Sequence, residues 1–174
     1  GSKWDVVESA SWQSPGFAQD DSHPVVCVNW DDAKAYASWL AGTTGKGYRL
    51  LTEAEYEYAT RGITSASAAH PRYWFGDAEK DLCGHANGAD QAAKGTVPGS
   101  GNWTVAPCND GYAYTSPVAS FRPNAFGLYD MSGNAWSWTE DCWHDSYRGA
   151  PSDGSAWTAN CTDTGRRLVR GGSW

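Results

Sequence analysis

Asn124-Ala125-Phe126-Gly127-Leu128-Tyr129-Asp130-Met131-Ser132-Gly133-Asn134-Ala135-Trp136-Ser137-Trp138-Thr139-Glu140-Asp141 is the stretch that decides how the chain is read. It crowds rings, glycines, carboxylates and carboxamides into one short run. The run is too broken for a helix and too rich in glycine for a plain strand, so it reads as a shaped loop. Over residues 135–139 the pattern changes, and Trp136 and Trp138, alternating with Ser137, predict one face of a strand. The chain closes on Arg167-Leu168-Val169-Arg170-Gly171-Gly172-Ser173-Trp174, a second expected strand ending in a glycine pair where backbone can approach another group closely.

Upstream, residues 25–30 predict a short β-branched strand holding Cys27. A helix over 31–41 follows, with Ala33, Tyr36, Ala37 and Leu40 at helical spacing, Asn29 or Asp31 as N-cap and Gly42 as its end. Residues 48–51 read as a strand fragment. Thr52-Glu53-Ala54-Glu55 is a capping box, which starts a second helix running to Arg61 and stopped by Gly62. The acidic groups Glu53, Glu55 and Glu57 suit a helix N-terminus and are not read as catalytic acids. Residues 63–115 are mostly loop, with turns at Asn87-Gly88, Pro98-Gly99 and Asp110-Gly111. A loop of that length in a compact domain needs something to pin it, and a bound ion is the candidate. Residues 116–121 predict a further strand, and 143–160 a Gly/Ser/Asp-rich excursion. The expected organisation is an irregular lead-in over 1–22, opened by a Gly1-Ser2 cloning remnant, and one domain over 23–174. The class is α+β, with two helices, short antiparallel strands and little regular structure.

Eleven Trp, nine Tyr and twenty Gly among 174 residues predict a core of large rings joined by irregular backbone. A net charge of −7 and no run of basic residues argue against nucleic-acid or anionic-membrane surfaces. No apolar stretch is long enough to span a bilayer and no signal peptide is visible. Among the five cysteines, Cys83 and Cys108 bracket one loop and Cys142 and Cys161 another. Each pair, if closed, gains roughly 3 kcal/mol from the restricted unfolded chain. Five reduced thiols is the alternative, and Cys27 reads as a buried thiol. Two bridges favour a periplasmic or secreted home.

The central run and the terminal Arg170-Gly171-Gly172-Ser173-Trp174 resemble the signature of the formylglycine-generating enzymes, the sulfatase-modifying factors. The stretches His23-Pro24-Val25-Val26-Cys27-Val28-Asn29-Trp30 and Arg49-Leu50-Leu51-Thr52-Glu53-Ala54-Glu55-Tyr56-Glu57-Tyr58-Ala59-Thr60-Arg61-Gly62 agree with it in order. The resemblance covers about residues 23–174 and is nearest the broad bacterial branch, to which the run Glu140 to His144 points. It implies a variant of the C-type-lectin fold and two structural calcium sites, since hard cations take six to eight oxygen ligands from such loops. One set is Asn87, the Gly88 carbonyl, Asp110 and the Tyr112 carbonyl. The other is Asp130 with the carbonyls of Gly133 and Ala135. Family members complete that second set with a glutamate where this chain has Ser137, so it is one charged ligand short.

The family's enzymes bind Cu(I) through a cysteine pair and, with oxygen, convert a substrate cysteine in a sulfatase to formylglycine. The first of that pair falls three residues past the position matching Trp174, so copper is expected only if a following segment supplies the thiols. A partner strand is expected to complete the fold where that segment is missing. By resemblance, Trp136 lines the oxygen pocket and Ser173 hydrogen-bonds there; plain core packing is the other reading of Trp136. Two helix positions that hold cysteine in some family oxidases are Ala37 and Thr60 here. His23, His70, His85 and His144 lack zinc spacing, and there is no phosphate-binding loop, dinucleotide fingerprint or nucleophile elbow. Two functions follow: an oxidase acting on a cysteine-bearing peptide, or a non-catalytic, calcium-stabilised module on the same scaffold that binds a peptide, glycan or small ligand.

Overall fold

The computed structural model describes residues 7–62 and 71–174. Part of the long predicted loop, 63–70, lies outside the described residues. The elements are two α-helices, α1 (Trp30–Thr44) and α2 (Glu53–Arg61), two 3-10 turns (Glu79–Gly84 and Ser100–Asn102), and strands β1 (Ser137–Trp143) and β2 (Asp163–Arg170). This is the α+β class with little regular structure. The contacts divide the chain into two compact units: Gly1–Cys27 with Ala59–Trp136 and Gly171–Trp174, and Val28–Tyr58 with Ser137–Arg170.

In the second unit, α1 starts where Asn29 accepts from the Asp32 amide while Asp32 reaches back to the Asn29 amide, each at 2.9 Å. It ends at Gly45, in the left-handed conformation, and not at Gly42 as expected. Glycine in a helix interior costs only about 1 kcal/mol, so the helix runs through position 42 to a true left-handed stop. The Thr52–Glu55 box also forms, at 2.9 and 3.1 Å. β1 and β2 pair antiparallel from Ser137 opposite Arg170 to Trp143 opposite Asp163, with irregularities around Cys142. The Trp30 indole donates to the Thr139 carbonyl at 2.8 Å and lies beneath Lys34 and Arg167. Buried Asp141 accepts from the Glu53 and Trp157 amides, both at 2.7 Å, which fixes the start of α2 and the 143–160 excursion to β1. Cys142–Cys161 closes that excursion.

In the first unit, Cys83–Cys108 closes the other loop. Residues of the expected lead-in are packed here: Phe17 stacks on Tyr114 and meets Trp174 edge-on, and Gln19 donates to Thr115 Oγ1 at 2.7 Å.

Three expected strands are absent. Residues 25–29, 48–51 and 116–121 are irregular, and Trp30 already opens α1. Cys27 and Ala119 adopt φ of 57° and 60°, which breaks a pleat, and Val25 and Tyr48 are exposed with no sheet to join. Cys27 is therefore an exposed free thiol and not the buried one expected. β1 begins one residue after Trp136, and β2 stops at Arg170, before the glycine pair. The ring-filled core is also corrected. Among the described residues the buried apolar side chains are Tyr56, Ala86, Ala93, Cys142 and Leu168, and no Trp is among them. The largest fully buried side chains are mostly polar, led by Asn87, Asn134, Thr139 and Asp90. Loop backbone that leaves water needs hydrogen-bond partners, and short polar side chains supply them, so the rings are left to half-buried flanks.

Candidate functional site

The first unit is organised around Asn134, φ 66° and 2% exposed. Its amide donates to the Asn87 carbonyl at 2.7 Å; its side chain accepts from the Ser116 amide at 3.0 Å and donates to the Ser116 carbonyl at 3.1 Å. Asn87 Nδ2 donates to the Tyr114 carbonyl at 2.8 Å and to Asn134 Oδ1 at 3.4 Å. Three loops meet on these two carboxamides. The Asn87 side-chain oxygen is left buried with no hydrogen-bond partner. An orphaned buried oxygen at the first expected ligand position is the state a cation would relieve.

The other expected ligands are joined to one another through Asp110. Asp110 accepts from the Gly88 amide at 3.2 Å and from the Tyr112 amide at 2.8 Å, so one carboxylate gathers Gly88 and Tyr112. Burial first, and the neighbouring Asp90 charge as well, push the Asp110 carboxyl up to about 6 from its ordinary 3.8, against the pull of those two amides. Asp90, with no solvent exposure, holds the Ala92 and Ala93 amides on one oxygen and the Asp110 amide on the other. Asp90 and Asp110 carboxylate oxygens and the Cys83 sulfur lie within 4.8 Å of one another. The bridged Cys83 is no thiolate ligand. The sequence reading assigned nothing to Asp90 or Asn134; the Asn87-Gly88-Ala89-Asp90 pattern of an Asx-rich turn was the available signal for the first.

In the second expected set, Asp130 and Gly133 both hold positive φ. Asp130, φ 54°, accepts the Ala119 amide at 2.8 Å with Oδ2, while Oδ1 is buried without a partner. Gly133, φ 120°, brings its backbone so close to the Asn87 carbonyl that a Cβ would sit 2.1 Å from that oxygen. Ala135 follows two residues on. Ser137 belongs to the other unit, opposite Arg170 in the sheet, and offers a hydroxyl where a carboxylate would serve a hard cation better. Both sets thus contain a buried acceptor that nothing satisfies, and their oxygen-only donors fit a hard cation.

The residues expected to line an oxygen pocket fall in the first unit. Gly133 donates to the Gly171 carbonyl at 2.7 Å and Trp174 to the Asn134 carbonyl at 3.3 Å, so the terminal run, with Ser173, lies along the segment leading to Trp136. Trp136 is 57% exposed, which rules out plain core packing for it. Copper does not fit the residues present. A Cu(I) centre needs paired thiolates, whereas Cys83, Cys108, Cys142 and Cys161 are bridged and Cys27 stands alone.

A family model described as a sulfatase-modifying factor enzyme 1-like domain matches residues 1–174. A formylglycine-generating enzyme of Thermomonospora curvata is 34% identical over 98% of this chain and 52% of its own length. An inactive Cα-formylglycine-generating enzyme 2 of Bos taurus is 32% identical over 98% of this chain and 46% of its own. The chain thus spans about half the length of the curated relatives it matches. Among solved structures, PvdO from Pseudomonas aeruginosa superposes with a TM-score of 0.66 at 40% identity, over 92% of this chain and 53% of that one. On the motifs, the loop architecture and these matches together, the chain belongs to the sulfatase-modifying factor, or formylglycine-generating enzyme, family.

Proposed function

We propose that this chain is the calcium-stabilised body of a formylglycine-generating-type oxidase, serving oxidation of a cysteine in an extended sulfatase peptide. The observation that carries the calcium assignment is the pair of buried, unpartnered oxygens, Asn87 Oδ1 and Asp130 Oδ1. Asn87, Gly88, Asp110 and Tyr112 would hold one ion; Asp130, Gly133 and Ala135 would hold the other. Calcium would supply no redox chemistry there. It would neutralise the Asp90 and Asp110 charges and fix the loops beside Trp136 and Ser173. The oxidation itself would rest on copper held by thiolates from outside these residues. Two cystines support a periplasmic or secreted setting.

A second reading, a non-catalytic binding module on the same scaffold, is supported by the 32% identity to an inactive Cα-formylglycine-generating enzyme 2. Incubation of the full-length protein with a Cys-x-Pro-x-Arg peptide, with and without copper, followed by mass analysis, separates the two. A copper-dependent aldehyde product supports the oxidase. An unmodified peptide together with retained calcium binding supports the binding module.

A further inference from the structure

The second unit contains a cavity of about 280 Å³ that shares no residue with the calcium sets or with Trp136 and Ser173. Its floor is the Leu168 side chain and the Cys142 cystine, both buried. Its walls are rings: Trp157 and His144 stack face to face at 3.5 Å, with Trp143 and Tyr147 beside them. Asp145 and Ser146 also line it, and two further polar members, Glu53 and Arg170, form an ion pair. Tyr147 ties them together, its hydroxyl donating to Glu53 Oε1 at 2.7 Å and accepting from Arg170 Nη2 at 3.2 Å.

Three features narrow the ligand. The Glu53 and Arg170 charges cancel, and Asp145, the remaining charged member, accepts from the Trp143 indole at 2.9 Å, so an anion finds no free cation. Among the described residues Glu53 Oε2 and Arg170 Nε make no hydrogen bond, which leaves one acceptor and one donor side by side on the wall. That pair matches two adjacent hydroxyls, each of which donates and accepts. The rings offer flat apolar surface for the C–H face of the same molecule. We propose that this cavity is a binding site for a neutral saccharide, one or two rings in size, stacked on the Trp157–His144 wall and hydrogen-bonded to Glu53 and Arg170.

The test is titration of the ¹⁵N-labelled protein with the methyl glycosides of glucose, galactose, mannose and N-acetylglucosamine and with lactose. Tetramethylammonium chloride and sodium acetate serve as the cationic and anionic probes. A single-ring ligand is expected to saturate in the millimolar range, with shifts centred on residues 143–147 and 157. Trp157→Ala should weaken binding at least tenfold. Tyr147→Phe, a change at an exposed ring that leaves the fold in place if the first variant does not fold, should weaken it several-fold by freeing Glu53. Saturation by no glycoside, saturation undiminished in Tyr147→Phe, or saturation by tetramethylammonium or acetate alone would overturn the proposal.

Discussion

Two residues of the central run do what no other residue type could. Gly133 holds φ 120° with its α-carbon against the Asn87 carbonyl, where a methyl group would need space that backbone already fills. Gly133→Ala is therefore expected to cost on the order of 3 kcal/mol or more, and to lower the denaturation midpoint accordingly. Asn134 tolerates its left-handed backbone because it is Asn, and its carboxamide closes the two bonds to Ser116. Asn134→Ala removes both and leaves the buried Ser116 amide unpaired, an expected loss of about 2 to 3 kcal/mol in urea denaturation. Asn134→Asp is an informative contrast: it keeps the acceptor for Ser116 but loses the Nδ2 donor, and it should be intermediate.

At the scale of elements, the helices were legible in the sequence because their ends carry local chemistry. The Thr52 box formed as read, Asn29 is the N-cap of the two candidates for α1, and Gly62, φ 55°, stops α2. Asn29→Ala should lower stability by about 1 kcal/mol, measured by thermal denaturation. The two cystines were also legible, since each pair brackets its own loop. Strands were read less well. Short β-branched or aromatic runs such as 25–30 and 116–121 carry the composition of strands, but pairing is a non-local property, and left-handed Cys27 and Ala119 decide against it. The set Asn87, Gly88, Asp110 and Tyr112 came from the resemblance to the family, and the hydrogen bonds add that Asp110 joins the Gly88 and Tyr112 amides. The roles of Asn134 and Asp90 were not legible, because nothing in a residue's own neighbourhood says that a carboxamide will bond to chain distant in sequence. The polar centre was missed for a related reason: a Trp-rich composition suggests ring packing, yet irregular backbone needs side-chain partners first.

For the whole molecule, two cystines tie down long loops, and among the described residues few apolar side chains are buried. Cleaving Cys83–Cys108 or Cys142–Cys161, separated by 25 and 19 residues, should each cost roughly 3 kcal/mol in unfolding experiments on Cys→Ser pairs. The Asp110 carboxyl gives a pH signature. Its native value is raised to about 6 from 3.8, so the native state holds that proton more tightly than the unfolded chain. In chelator, its contribution to stability is therefore fully present below about pH 4 and is lost as pH rises to about 6. A bound cation favours the ionised form, so calcium should stabilise more as pH rises through the same window. The gap between melting temperatures in calcium and in chelator should widen from pH 4 to pH 7.

The central claim, that divalent ions pin these loops, is tested most directly by scanning calorimetry at neutral pH in excess calcium and in chelator, with Asn87→Ala alongside. Calcium at a hundred times Kd contributes about 2.7 kcal/mol per site. For a domain of this size that is a rise in Tm of about 5 to 10 °C, and Asn87→Ala should lose most of it. A wild-type Tm that chelation leaves unmoved would contradict the account.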